Sequence, residues 1–431
     1  MPPQDFIRAR DEGQTYVMVD GWPYLPQVSA AAKGPVRDVA VAVLAVLGIP
    51  NDNYENGSDL ASTLQVEPVL GGLSNTLYKV SHLPTTNHDD NNKHHDNNHV
   101  SKPNLSQVLV RIFGADGMID RDVETSTFAE LAKLGHTPPY YGRFANGRLE
   151  GWMEGMRPLA VRELSQPAVL CAVAEKMATL HTQFHIPPSL QAYYTTPSMW
   201  QQLEEWLTQA LQNTYQTAHD AQRAASLHLE TIQAQEFAWL RRDVLPPDAL
   251  VVYCHNDVLA ANILWDDQYT DDDDNVFHGE NGKIGDQSRS TRKSRLQLID
   301  FEYGGCNYRS FDVANHWNEY ASGPPFETVP HYDWLPNKKQ QTLFCWTYLE
   351  TTVRAKATNG NKATAVVTDE QVEEFRREVQ AFLLPNHLYW GLWAVNQAAT
   401  EGCFKYDYMM YGMERFKQYH LCKQEWLSVN Q

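Results

Sequence analysis

Apolar residues recur with two different periods along this chain, and the change of period divides it. Over 35–48, PVRDVAVAVLAVLG has the spacing of an apolar helix and stops at Gly48. From Leu64 to Leu83, LQVEPVLGGLSNTLYKVSHL predicts two strands joined by Gly71-Gly72-Leu73-Ser74-Asn75, and QVLVRIFG at 107–114 supplies a third. Strands in this succession predict an antiparallel sheet. Later the spacing becomes helical: within 165–185, Leu170, Val173, Met177, Leu180 and Phe184 fall three and four apart, with Ser165 as the expected cap and Pro167 in the first turn. Further amphipathic helix is expected over 199–243, and a long aromatic-rich helical end over 369–427. The fold class is therefore α+β, with a small antiparallel-sheet N-terminal lobe at 1–153 and a larger, mostly helical C-terminal lobe at 154–431. GRLEGWMEG at 147–155 lies at the change of composition and is the expected hinge.

Two stretches fit neither period. TTNHDDNNKHHDNNHVSKPN at 85–104 is poor in apolar residues and is expected to be a disordered insertion; its four histidines have nothing around them to fix a ligand geometry. The segment 266–295 starts acidic and ends basic. Its run of four aspartates lacks the spaced ligands and terminal Glu of a calcium loop, so a second solvated insertion is expected there.

Between these features lies the stretch with the clearest chemistry. VVYCHNDVLAANILW is an apolar strand, a polar turn and a second strand, and LQLIDFEYGG is another strand ending in an acid. In the protein-kinase signature, the catalytic-loop Asp accepts the proton of the attacking hydroxyl, while an Asn five residues on and a later Asp-Phe-Gly Asp hold magnesium. Asp257, Asn262 and Asp300 match those roles by type and spacing. A transferred phosphoryl group carries negative charge and needs metal more than covalent help, which suits a carboxylate and an amide as hard oxygen ligands. Read singly, His-Asn-Asp is a turn and Asp300 a strand-end cap. The order of the three, with Phe301 after Asp300, favours phosphoryl transfer.

The N-terminal strands offer a nucleotide side. Gly72, with Gly71, allows backbone amides close to phosphate, and Ser74 and Asn75 add donors, although a two-glycine turn is commonly a plain hairpin. Arg111 on the third strand takes the place of the kinase lysine that pairs with phosphates. Glu124, which shares the apolar face of the following helix with Phe128 and Leu131, is the expected carboxylate partner of Arg111, ahead of Asp122 and Glu130. Composition narrows the partners: a net charge of −18 argues against general nucleic-acid binding, though it leaves room for a nucleotide held by magnesium and one or two arginines. Six cysteines without a CxxC pair suggest neither zinc nor a disulfide framework. With no signal-like or membrane-spanning apolar run, a cytoplasmic protein without stable membrane insertion is expected.

VLVRIFG, IDRDVE, CHNDVLAANILW, LIDFEYGGCNYRSFDVANHWNEY and LYWGLW together resemble the choline/ethanolamine kinase family, and are most similar to its ethanolamine kinase branch. The resemblance spans about 64–419 outside the two insertions. It implies a bilobal protein-kinase-like fold, ATP and Mg2+ as cofactors, and phosphorylation of ethanolamine as the first step of CDP-ethanolamine and phosphatidylethanolamine synthesis. By the same resemblance, Asp257 is the catalytic base, Asn262 and Asp300 the metal ligands, and Arg111 with Glu124 the nucleotide-orienting pair. An ammonium group favours aromatic faces and a carboxylate. Trp390 and Trp393 share a helix face, as do Tyr408 and Tyr411; spacing alone favours core aromatics, and the resemblance reverses that reading. In the family, the matching aromatics and the acid corresponding to Glu319 line the amino-alcohol site.

Choline, or both alcohols, stays as the alternative substrate, because GGLSNTLY looks more like the choline branch. An aminoglycoside-type phosphotransferase shares the H-x-D-x-x-x-x-N loop but has Gly where this chain has Asn256. A non-catalytic kinase-like module would be expected to lose the base or a metal ligand, and none is lost. Homodimerisation is left open.

Overall fold

The computed structural model describes residues 17–19, 21–30, 36–49, 60–69, 75–83, 106–114, 120–269, 295–324, 327–358 and 366–430. Gly72, Ser74 and the 85–104 insertion lie outside them, as does 270–294 of the second insertion. The chain forms two compact units, Met1–Glu154 and Gly155–Gln431.

The first unit is built on a seven-stranded sheet. Its strands are β1 (Val17–Val19), β2 (Trp22–Leu25), β3 (Gln65–Val69), β4 (Asn75–Ser81), β5 (Gln107–Phe113), β6 (Tyr140–Phe144) and β7 (Gly147–Gly151), in the order β1-β2-β6-β7-β5-β4-β3. Every pairing is antiparallel except β2 with β6. Strand alternation sends Val108, Val110 and Ile112 of β5 into a core with Leu149, Phe144 and the apolar face of helix α1 (Val36–Leu47), where Val39, Ala40, Val43 and Leu44 are at most 1% exposed. Each such Val, Leu or Ile contributes roughly 1.5–3 kcal/mol by leaving water. The short helix α2 (Leu60–Thr63) follows, and α3 (Arg121–Lys133) starts where Asp120 accepts from the amides of Asp122 (3.1 Å) and Val123 (3.2 Å). Of the expected hinge at 147–155, Gly147–Gly151 is a buried interior strand, its backbone bonded on both sides to β5 and β6, while the boundary between the two units falls in the remainder, after Glu154.

The second unit is mainly helical, with α4 (Pro167–Gln183), α5 (Ser198–Ala210), α6 (Ala218–Ala225), α7 (Arg309–Asn318), α8 (Lys338–Thr358), α9 (Asp369–Thr400) and α10 (Tyr408–Asn430). Pro167 occupies the first turn of α4, where its missing N–H has no bond to lose. Ser165 is not the cap: it ends a preceding 3-10 turn, Val161–Ser165, and its hydroxyl donates to the Arg162 carbonyl, which leaves Gln166 at the cap position. The stretch 199–243 is not one helix; α5 and α6 are followed by two π-type turns, Ile232–Phe237 and Leu240–Val244. The C-terminal aromatic segment is likewise two helices, broken between Thr400 and Tyr408.

Short strands among these helices carry the polar turns. β9 (Val251–Cys254) pairs with β12 (Gly305–Tyr308), while β10 (Ile263–Asp266) lies between β8 (Met156–Pro158) and β11 (Leu296–Leu298). Asp266 therefore belongs to a strand rather than to the second insertion, and its amide donates to the Arg295 carbonyl at 3.0 Å.

Candidate active site

The turn that leaves β9 is held from below by one buried acid. Asp312, in the first turn of α7 and fully buried, accepts from the His255 amide (3.0 Å), the Asn256 amide (2.7 Å) and His181 Nε2 (2.9 Å), and His181 Nδ1 meets the Tyr348 hydroxyl at 2.8 Å. Burial alone would raise the Asp312 carboxyl; the hydrogen bond and charge of His181, with the hydrogen bond from the His255 amide, outweigh it and hold the pKa below the usual range. His181, Asp312 and Cys254 bring ligand-type atoms within 4.8 Å of one another. They do not resemble an open metal site, because both Asp312 oxygens and both His181 nitrogens are engaged and the Cys254 thiol, pushed well up by burial, points at backbone carbonyls such as that of Asn307.

The turn is tied just as firmly to the segment after β11. His255 Nε2 must donate, since its partner is the Ile299 carbonyl (2.9 Å); Nδ1 then accepts from the Asp257 amide (3.3 Å). Burial, the largest influence, keeps this imidazole below its ordinary pKa and so neutral. Its ring lies 4.3 Å from that of Phe301. Asn256 and Asp300 both have φ +64°, a left-handed conformation that non-glycine residues adopt rarely and at some energetic expense. Gly304 follows where a Cβ would overlap the Tyr253 hydroxyl, so the DFEYGG segment turns directly against β9.

Asp257, Asn262, Asp300, Glu302 and Glu319 form the electrostatic centre. Asn262 Nδ2 donates to the Asp257 carbonyl (3.0 Å) and to Asp257 Oδ2 (3.1 Å), and the Asn262 carbonyl accepts from the Ile299 amide (3.0 Å), one residue before Asp300. With its NH2 group committed, the Asn262 Oδ1 accepts no hydrogen bond among the described residues. The Asp257 carboxyl is pushed well above the ordinary range by burial first, then by the nearby charges of Glu319, Asp300 and Glu302, against the Asn262 bond. Such a concentration of acid is unfavourable on its own and favours cations, and carboxylate and amide oxygens are the donor types of a hard divalent ion. Asn262 and Asp300 thus fit magnesium.

On the other side, Glu319 begins the turn Glu319–Ala321 after α7 and is buried. Its Oε2 accepts from Ser322 Oγ at 2.6 Å, and burial raises its pKa, opposed by the Arg415 charge and that bond. Tyrosines 332, 406 and 411 all feel the Glu319 charge, and Arg415 stacks 5.7 Å from the Tyr411 ring. Aromatic rings continue the cluster in edge contacts: Tyr303 with Trp390 (5.5 Å), Trp390 with Trp393 (5.5 Å), Trp393 with Tyr408 (5.6 Å) and Tyr408 with Tyr406 (4.9 Å). Trp390 is buried with its indole N–H on Asn315, whereas half-buried Trp393 donates to the Tyr303 hydroxyl at 3.0 Å.

In the first unit, the sheet fixes a different charge cluster. Arg111 on β5 stands directly opposite Arg148 on β7, a like-charge pair that a buried sheet tolerates only with carboxylates between them. Glu150 Oε1 accepts from Arg111 Nε and Arg148 Nε, both at 2.8 Å, and Glu124 Oε1 takes Arg148 Nη1 at 2.6 Å. The expected pairing is corrected accordingly: Glu150 is the acid on Arg111 Nε, and Glu124 holds the second arginine. Asp122 binds Arg143 at 2.9 Å, and Glu130 pairs outward with Lys133. Asn75 opens β4, where its Oδ1 accepts from the Gly114 amide at 3.4 Å.

A family model described as choline/ethanolamine kinase matches residues 66–420 of this chain. The chain belongs to that family. A rat choline/ethanolamine kinase is 31% identical over 368 residues, covering 83% of this chain and 79% of the relative, and a probable ethanolamine kinase A of Dictyostelium discoideum is 26% identical over 379 residues, covering 88% and 90%. The crystal structure of a choline kinase from Cryptosporidium parvum superposes with a TM-score of 0.62 at 21% identity, covering 90% of this chain and 97% of that one, which establishes the shared fold. The protein is a kinase with the α+β kinase-like fold, and no helix among the described residues is long and apolar enough to cross a membrane.

Several residues that shape the site of this choline/ethanolamine kinase family member carry a weak signal or none in the sequence. Asp312 had a signal, an acid embedded between buried Phe311 and Val313. Glu150 had one too, since Arg148 and Glu150 alternate onto one face of a strand. His181, Tyr303, Tyr332, Tyr406 and Arg415 had none, because only tertiary packing brings His181 to Asp312, Tyr303 to Trp393, and Tyr332, Tyr406 and Arg415 into the field of Glu319.

Proposed function

We propose that this kinase transfers the γ-phosphoryl group of ATP to the hydroxyl of ethanolamine. The observation that carries the reading is the occurrence of two buried carboxylates in different surroundings: Asp257, bonded to Asn262, and Glu319, bonded to Ser322 with its charge felt by Tyr332, Tyr406 and Tyr411. Asp257 takes the hydroxyl proton as the alcohol oxygen bonds to the γ-phosphorus and the bridging bond to the β-phosphate breaks, releasing ADP. Asn262 and Asp300 would hold magnesium, which when bound neutralises phosphate charge. Arg111, held by Glu150, with Arg148 and Glu124 behind it, orients the nucleotide; Gly72, Ser74 and Asn75 supply donors to its phosphates.

Glu319 receives the ammonium end, against the faces of Trp393, Tyr408 and Tyr411, with Trp390 supporting Trp393. Ser322 occupies only one Glu319 oxygen; among the described residues, Oε1 accepts no hydrogen bond. A primary ammonium can donate to that oxygen and a quaternary one cannot, which favours ethanolamine. The aromatic cluster supports choline as the second reading, and the rat relative is named for both alcohols. Substrate and product are small and water-soluble, in keeping with a cytoplasmic enzyme. The test is kcat/KM for ethanolamine against choline with ATP and magnesium; a choline preference overturns the first reading, and turnover of neither overturns both.

A further inference from the structure

Asn256 stands between the neutral His255 and the base Asp257, fully buried, and its whole side chain is engaged. Nδ2 donates to the Tyr303 carbonyl at 2.9 Å and, more weakly, to Ser198 Oγ at 3.3 Å, while Oδ1 accepts from Asn307 Nδ2 at 2.8 Å. Its backbone amide is on Asp312 Oδ1. Tyr303, in turn, places its hydroxyl on the Trp393 indole and its ring edge-on to Trp390. One side chain therefore connects the loop that bears Asp257 to the aromatic wall of Tyr303, Trp390 and Trp393. The backbone and the partners together explain the residue type: at φ +64°, Gly, Asn and Asp are the natural occupants, and of the three only Asn can both donate to the Tyr303 carbonyl and accept from Asn307.

We propose that Asn256 is a positioning residue that sets the distance between the base-bearing loop and the aromatic wall, and so places the amino-alcohol hydroxyl at Asp257. This rests on the function proposed above for the same site. A small acceptor has few atoms with which to find its own register, so a misplacement near 1 Å at the wall is expressed directly at the reacting oxygen, where it lowers the rate by about 100-fold.

The test uses the full-length enzyme and two substitutions. Asn256→Gly keeps the left-handed backbone without strain and removes only the bridge. Asn256→Asp keeps shape and the acceptor for Asn307 but turns an oxygen toward the Tyr303 carbonyl. Both are expected to lower kcat/KM for ethanolamine by about 100-fold, with the loss in kcat and the ethanolamine KM while the KM for ATP stays within about twofold. The Trp393 indole 15N–1H resonance, assigned with Trp393→Phe, is expected to shift in both. A variant within about threefold of wild type in kcat/KM overturns the proposal, as does an unmoved indole resonance. If wild type phosphorylates neither ethanolamine nor choline, the proposed function fails separately, and the indole resonance alone decides for Asn256 if it shifts and against it if it does not.

Discussion

Replacing Asp312 by Ala removes one small side chain that touches no proposed substrate, yet it should abolish activity. Three donors converge on its carboxylate at 2.7–3.0 Å: the amides of His255 and Asn256 and the imidazole of His181. Hydrogen bonds to a charged acceptor are each worth about 1.5–3 kcal/mol, and leaving a buried donor unpaired costs a similar amount, so three would sum to roughly 4.5–9 kcal/mol. The two amides are on neighbouring residues and water can enter the vacated space, which places the expected loss near the lower end, about 5 kcal/mol. Asp312→Asn keeps one carbonyl oxygen and should lose about half as much. The assay is hydrogen exchange at the His255 and Asn256 amides alongside chemical unfolding. Because 1.4 kcal/mol is a factor of ten, protection should fall by between three and four powers of ten, on the order of 10³–10⁴, in the Ala variant. Acid should narrow the gap: the folded pKa of Asp312 is depressed, so its stabilisation is complete above the unfolded-state carboxyl pKa and is lost as pH falls through the folded value. Destabilisation below about 1.5 kcal/mol, the value of a single such bond, with near-normal turnover would refute the view that Asp312 holds the turn.

Three other substitutions test the remaining parts of the site. Asp257→Ala should lower kcat by about 10²–10⁴-fold with the fold intact by circular dichroism, and normal turnover would remove it as the base. Glu319→Gln should raise the ethanolamine KM by about 10–100-fold, the equivalent of one charge-assisted bond. In wild type, that KM should climb as pH falls through the raised Glu319 pKa, beginning above the ordinary glutamate range, and the same titration should be flat in the Gln variant. In the first unit, Glu150→Gln leaves the Arg111 and Arg148 guanidinium groups without their shared anion and should cost about 3–5 kcal/mol by denaturant unfolding; a loss below about 1 kcal/mol would show that other anions suffice.

Elements with strong periodicity were legible in the sequence: α1, the β3-β4-β5 meander and α4 lie where apolar spacing put them, because each buries a regular face. The failures share a physical cause. GRLEG looks like a linker by composition, since nothing local shows that neighbours will satisfy its backbone on both sides and neutralise Arg148. Glu124 faces inward as its helix position requires, but which arginine it meets depends on the register of β7 against β5. At the proposed site, Asp257, Asn262 and Asp300 are readable because their chemistry imposes type and spacing. The residues that aim them, Asp312 and His181, obey no spacing rule, since a buried hydrogen bond needs only the right distance in space.

The ties that shape the centre have one more consequence, for the order in which the molecule assembles. His255 meets Ile299 across 44 residues, Asn256 meets Tyr303 across 47, the His255 amide meets Asp312 across 57, and His181 meets Asp312 across 131. Contacts between distant positions are slow to form, because chain entropy is lost before any of them is gained. Helices such as α4 can appear early from local contacts, while the turn that bears Asp257 takes shape only after β9, β11, β12 and α7 have docked. The competent centre is thus among the last parts of the second unit to form, and catalytic activity is a stricter gauge of complete folding than helix content.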